Sequence, residues 1–112
     1  MCIFCKIVNK EIPSNVVLED DSFLAFHDIN PTRKIHVLVI PKAHYSSFED
    51  TPSSIMSGLS DFIKRVSKEL NVNESGYRMI TNIGEDGGQE VPHLHFHIIA
   101  GKQLGWRSDC AD

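Results

Sequence analysis

The sequence predicts an α+β domain: a five-stranded antiparallel sheet with one short and one long helix. Three observations predict it. Five short, largely apolar segments have the composition of strands. Most of them are joined by short turns. One long amphipathic helix is inserted among them without the strand–helix–strand alternation that a doubly wound parallel sheet requires. The 112 residues suffice for one core, so residues 1–112 are read as a single domain.

The elements follow in order. Phe4, Ile7 and Val8 recur at helical spacing, which predicts a short helix over Ile3–Asn9, broken by Pro13-Ser14-Asn15. Val16–Glu19 is a short β-branched strand. Asp20-Asp21-Ser22 turns it into Phe23–His27, the return strand of a hairpin. After a turn at Asn30-Pro31, Ile35–Ile40 is the third strand, stopped by Pro41. Thr51-Pro52 reads as an N-cap followed by proline at the first helical position. From there Ile55, Met56, Leu59, Phe62, Ile63, Val66 and Leu70 form the apolar stripe of a helix of four to five turns, a core-packing face. Tyr77–Ile83 is the fourth strand, Gly84–Gly88 a glycine-rich loop, and His93–Ala100 the fifth strand.

Composition narrows the function. The formal net charge of −4 argues against a broad polyanion-binding surface, and so against nucleic acid. No apolar run approaches the roughly 20 residues of a membrane helix. Met1–Pro13 holds no continuous apolar stretch, so no signal peptide is expected. Three cysteines, an odd number, argue against a disulfide framework and for a reducing cytoplasm.

The most informative segment is His93-Leu94-His95-Phe96-His97-Ile98-Ile99. Side chains alternate along a strand, so His93, His95 and His97 share one face, and Leu94, Phe96 and Ile98 pack on the core. Three readings compete. The histidines can decorate a solvent face. They can hold a metal, although three imidazoles on one flat strand rarely converge without another element. Or they can do phosphorus chemistry: neutral imidazole is a nucleophile near pH 7, and neighbouring imidazoles can contact phosphoryl oxygens or protonate a leaving group. The preceding loop favours the last. Gly84, Gly87 and Gly88 let a backbone approach a ligand closely and aim N–H groups at an anion.

With these residues in view, the sequence resembles the histidine triad (HIT) family, and within it the Hint branch. The His-x-His-x-His run followed by apolar residues fits the family motif. Phe4-Cys5-Lys6-Ile7, Phe26-His27-Asp28-Ile29, His36 to Lys42, Asn82, Gly87-Gly88-Gln89 and Gly101 to Trp106 carry the likeness across nearly the whole chain. The resemblance implies a HIT-like fold whose sheets join across a homodimer, with residues 101–112 as a tail at the interface. It implies hydrolysis of purine nucleoside phosphoramidates through a nucleotidyl-histidine, releasing a 5′-nucleotide of AMP or GMP type and an amine, with no cofactor for the chemistry. The sister activity on dinucleoside polyphosphates, a non-enzymatic AMP-binding regulator and a metal-sensing histidine cluster are the alternatives. The Hint-like tail argues against the first.

Residue by residue, the resemblance makes His95 the nucleophile. His97 contacts the phosphoryl group and assists the leaving group, His36 sits near this pair, and His93 has the role that, in family members without the cysteine pair, helps set the nucleophile's orientation. Asn82 and the Gly88-Gln89 backbone approach the α-phosphate. Asp28 accepts hydrogen bonds from the ribose hydroxyls. Phe4, Ile7, Phe26, His27, Ile29 and Leu38 line the base pocket. Trp106 reaches toward the partner's site on the leaving-group side. One position departs from the pattern. Glu90 stands where Ser or Thr commonly contacts phosphate, so this carboxylate must turn away, be protonated, or engage the amine leaving group.

Cys2-x-x-Cys5 has the spacing of half a tetrahedral zinc site. A thioredoxin-like redox pair or two buried thiols are the alternatives; no strand precedes the motif, which disfavours the first. Some bacterial HIT proteins share this motif and complete the site with two histidines. By that resemblance a structural zinc is held by Cys2, Cys5, His44 and His93, fastening the N-terminal helix to the sheet. Cys110 is expected to be an unpaired, exposed thiol.

Overall fold

The computed structural model describes residues 2–105; Trp106 and Cys110 lie outside the described residues. Five strands form one antiparallel sheet in the order β1-β2-β3-β5-β4. They are β1 (Val16–Glu19), β2 (Phe23–His27), β3 (Ile35–Pro41), β4 (Arg78–Ile80) and β5 (Phe96–Ala100). Helix α1 spans Ile3–Val8 and α2 spans Ser53–Glu69, with a single 3₁₀ turn at Phe48–Asp50 before it. Among the described residues, no helix is long and apolar enough to cross a membrane.

The alternation of side chains sorts the molecule into two layers of core. Phe23 and Ala25 of β2, Val37 and Val39 of β3, and Leu94, Phe96 and Ile98 pack against Leu59, Phe62, Ile63 and Val66 of α2. The other face of β2 and β3 carries Leu24, Phe26, Leu38 and Ile40, covered by Phe4 and Ile7 of α1. Cys2 caps α1, its Sγ accepting a hydrogen bond from the Cys5 N–H at 3.2 Å. Lys10, at φ +64°, takes the left-handed conformation that ends a helix and turns the chain toward β1. The α1 face of the sheet is also the histidine face, which places the short helix beside the chemistry.

Several boundaries differ from the sequence-based expectation. β5 begins at Phe96 rather than His93, and β4 ends at Ile80 rather than Ile83. The ladder between them stops at the Ile80–His97 pair. Beyond it, the Thr81 hydroxyl donates to the His95 carbonyl at 2.8 Å, and the Leu94 N–H donates to the Tyr45 carbonyl at 2.7 Å, so backbone pairing is replaced by other partners. The N-cap of α2 is Pro52, not Thr51. The Pro52 carbonyl accepts from the N–H groups of Ile55 and Met56, while the Thr51 hydroxyl donates back to Ser47 O at 2.7 Å. Pro41, expected to stop β3, is its last residue, opposite Phe23; the ladder to β5 has already ended at Val39. The 3₁₀ turn is stabilised by a capping box between Ser47 and Asp50, and the N–H groups of Ser47 and Ser46 with the Ser46 hydroxyl hold the Asp50 carboxyl at about 2.

Candidate active site

β3 and β5 lie side by side, and they bring together the two histidines that the sequence separates by 61 positions. His36 Nε2 lies 3.0 Å from His97 Nδ1. The rings of His95 and His97 stand 5.0 Å apart between centroids, and those of His36 and His97 5.2 Å. Although His93 and His95 precede the ladder, the alternation persists: Leu94, Phe96 and Ile98 enter the α2 core and the three histidines share the opposite side. The face is not a solvent face. His93, His95, His97 and His36 expose 0%, 6%, 2% and 2% of their surface, covered in part by Phe4, whose ring meets His95 edge-on at 5.1 Å and His93 at 5.9 Å.

Main-chain groups engage one nitrogen of three of these imidazoles. His95 Nδ1 donates to the His93 carbonyl at 2.7 Å, which leaves Nε2 as its unprotonated nitrogen. His93 Nε2 donates to the Pro41 carbonyl at 2.9 Å, which leaves Nδ1 as a lone-pair donor. His36 Nδ1 accepts the Thr32 backbone N–H at 3.1 Å. The Asp28 carboxylate stands 3.4 Å from His36 Nε2 and accepts the Asn30 N–H at 2.8 Å. His97 Nε2 is buried with no protein partner among the described residues. Burial, reinforced by His95 and His36, pushes His97 down to about 4, and burial also lowers His36, against the opposing pull of Asp28. Both are therefore neutral at pH 7.

The glycine loop is closed on itself. Gly88 N–H donates to Glu85 O and Gln89 N–H to Gly84 O, both at 3.0 Å, so the two amides expected to face a phosphate are turned inward. The turn is tight enough that a Cβ on Gly87 would lie 2.3 Å from the Ile83 carbonyl, and Gly88 sits at φ +77°. The Gln89 side chain ties the loop to its surroundings, accepting from Gly84 N–H and donating to Ser46 O and Val91 O. Asn82 Nδ2 donates to Gly87 O at 2.8 Å, and its Oδ1 is buried without a protein partner among the described residues. Glu90 is exposed on the segment that leads to His93.

The expected base-pocket residues divide into two groups. Phe4, Ile7, Phe26 and Leu38 pack together as a small core under α1. His27 and Ile29 are at the surface, Ile29 with 90% of its area exposed. A surface cavity of about 810 Å³ lies elsewhere, between the end of α2 and the Gly101–Leu104 segment, and has no histidine in its lining.

The expected zinc ligands converge. Cys2 Sγ lies 3.6 Å from His44 Nδ1 and 3.3 Å from His93 Nδ1; Cys5 Sγ lies 3.3 Å and 3.6 Å from the same atoms. All four ligand atoms fall within 4.8 Å of one another. Tetrahedral zinc, with bonds of about 2.3 Å to sulfur and 2.0–2.1 Å to nitrogen, requires sulfur–nitrogen edges of about 3.5 Å. The four residues therefore fit a closed Cys₂His₂ site. Burial, then the neighbouring Cys2, pushes the Cys5 thiol up, so a bound cation would displace protons.

Sequence reasoning did not reach three hydrogen-bonding partners: the backbone groups Thr32 N–H and Pro41 O, and the Thr81 hydroxyl. Backbone groups leave no mark in a sequence; only Thr81, a hydroxyl just past β4, carried a side-chain signal.

With this geometry in place, comparison with known proteins is decisive. A family profile for the HIT domain matches residues 9–104. The chain belongs to the HIT family. A HIT-like protein of Helicobacter pylori is 46% identical over 101 residues, covering 90% of this HIT chain and 97% of its own. A HIT family hydrolase from Legionella pneumophila superposes with a TM-score of 0.91 at 38% identity, covering 97% of this chain and all of the other. A histidine triad nucleotide-binding protein from Candida albicans gives 0.84 at 35% identity, covering all of this chain and 87% of the other.

Proposed function

We propose that this HIT protein is a purine nucleoside phosphoramidate hydrolase acting through a nucleotidyl-histidine. One observation carries the reading: His95 has its Nδ1 proton tied to the His93 carbonyl, and His97 beside it keeps a buried Nε2 with no protein partner among the described residues. His95 Nε2 attacks the α-phosphorus; the P–N bond to the amine breaks and its electron pair stays on the departing nitrogen. That nitrogen takes the proton of His97 Nε2, and the negative charge left on the His97 ring is offset by the positive charge that phosphorylation puts on the His95 ring beside it. Water then attacks phosphorus, returns a proton to His97 Nε2, and the P–N bond to His95 breaks with its pair returning to the imidazole. No metal enters these steps. The hydrolase and nucleotide-binding descriptions of the Legionella and Candida relatives agree with this class of reaction.

Two features support an amine-bearing substrate with a planar base. Asn82 presents an acceptor, Oδ1, and a phosphoramidate offers an N–H where a phosphate oxygen has no hydrogen to give. Ile29, an exposed apolar side chain next to Asp28, suits one face of a purine while the carboxylate takes ribose hydroxyls. Gly88, Gln89 and Glu90 are proposed to border the phosphate through the shape of their turn, and Trp106 to complete the leaving-group side from a partner subunit. Cys2, Cys5, His44 and His93 are proposed to hold a structural zinc that supplies cross-linking alone. A cytoplasmic homodimer is proposed as well: β4 is an edge strand with Met79 half-exposed, and sedimentation equilibrium at twice the subunit mass is the expected result.

The test is His95→Asn assayed with an aminoacyl adenosine phosphoramidate. Turnover is expected to fall by about 10³-fold or more, with AMP binding and the far-UV spectrum retained. Near-native turnover in the folded variant would end the proposal.

A further inference from the structure

We propose that the backbone N–H of Thr32 fixes the proton position at His97, making a surface loop the positioning element for the acid. The inference rests on the hydrolase reading above and adds a residue to it. His36 Nδ1 is buried and accepts the Thr32 N–H at 3.1 Å; the Thr32 hydroxyl is farther, at 3.5 Å. An imidazole nitrogen that accepts a hydrogen bond carries no proton, so neutral His36 holds its hydrogen on Nε2. The Asp28 carboxylate, 3.4 Å from Nε2, favours the same tautomer. That hydrogen faces His97 Nδ1 at 3.0 Å, which becomes an acceptor. Neutral His97 then carries its own hydrogen on Nε2, the buried nitrogen that no protein group engages among the described residues.

The opposite arrangement gives the opposite chemistry. With the proton of His36 on Nδ1, its Nε2 would present a lone pair to His97. His97 would turn its proton inward to Nδ1 and leave a lone pair on Nε2. A phosphoryl oxygen would then meet a repulsive acceptor, and a departing amine would find no proton. The Thr32 main-chain amide, at hydrogen-bond distance from Nδ1, sets the choice between the two states, and the Asp28 carboxylate favours the same one. The Asp28–Lys34 loop holds it there: the Asn30 N–H is tied to Asp28 Oδ1 at 2.8 Å, and Pro31 restrains the turn just before Thr32.

Thr32→Pro deletes the N–H, and Thr32→Ala keeps it. Two substrates separate positioning of the acid from general damage. An adenosine alkylphosphoramidate needs its leaving nitrogen protonated; the p-nitrophenyl ester of AMP releases a phenolate that does not. Thr32→Pro is expected to slow the amidate about 10- to 100-fold more than the ester, while Thr32→Ala retains most of the amidate reaction. Equal losses on both substrates, or none, would overturn the proposal. Should Thr32→Pro fail to fold, long-range ¹H–¹⁵N correlation spectra of the unmodified protein decide it. They are expected to show both His36 and His97 protonated on Nε2, and either ring protonated on Nδ1 overturns the inference. If the unmodified protein turned over neither substrate, the hydrolase reading would fall, and those spectra would still decide the tautomers.

Discussion

At the scale of single residues, the site's chemistry is set by which nitrogen of each imidazole is engaged. His95, His93 and His36 are each fixed by a main-chain group, and His97, among the described residues, is fixed through His36. Glu90 is the residue whose side chain is free to vary the outcome. It is exposed, so it makes no demand on the core, and it follows the loop that closes against Asn82. A carboxylate there repels a second anion and attracts a cationic amine. Exposed ion pairs contribute about 0.2–1 kcal/mol, so Glu90→Ser is expected to reduce the preference for a lysine-type over a neutral amine leaving group by about 1.4- to fivefold. The preference should also shrink with added salt. Paired kcat/KM values for the two amidates check this, and an unchanged ratio would remove Glu90 from the account of specificity.

At the scale of elements, α1 links the cysteine pair to the nucleophile. It is a six-residue helix, too short to be stable alone, and it is held by Phe4 and Ile7 on the sheet and by Cys2 and Cys5 against His44 and His93. Protein purified without chelator is expected to carry about one zinc per chain by metal analysis. Cys2→Ser is expected to lower Tm by roughly 10 °C, the shift that about 2 kcal/mol gives a domain of this size. Metal-free protein with an unchanged Tm would refute the site. The same element shows how far the sequence could be read. The spacing Cys2-x-x-Cys5 indicated half a site, but His44 and His93 came only from family likeness, because no local pattern ties position 93 to position 2. Strand alternation gave the faces of His93, His95 and His97 correctly, since a period of two survives even where the ladder ends. It could not show that Tyr45 and Thr81 replace the ladder partners there. The Ser47-x-x-Asp50 box is legible in the sequence and caps the 3₁₀ turn before α2.

At the scale of the whole molecule, burying neutral imidazoles makes stability depend on pH in a defined window. His97 has an ordinary value of 6.5 and is held at about 4 by burial and by its histidine neighbours; His36 is lowered as well. The unfolded chain therefore takes up protons at these positions as pH falls below about 6.5, and the folded chain does not. Stability from these residues is fully present above that pH, declines as pH drops, and stops declining below the folded value, about 4 for His97. For His97 alone the gap corresponds to about 3 kcal/mol. Carboxylates act in a lower window: Glu19, held down by Lys42 and Lys10, and Asp50, at about 2, lose their contribution only as pH falls below the ordinary carboxylate range. Chemical denaturation at pH 7 and pH 4.5 is thus expected to show a loss in the native protein that His97→Asn reduces, because the variant no longer has that proton to take up on unfolding. An equal loss in both proteins would mean that His97 is already protonated in the fold at pH 4.5, and the neutral acid beside His95 would have to be abandoned with it.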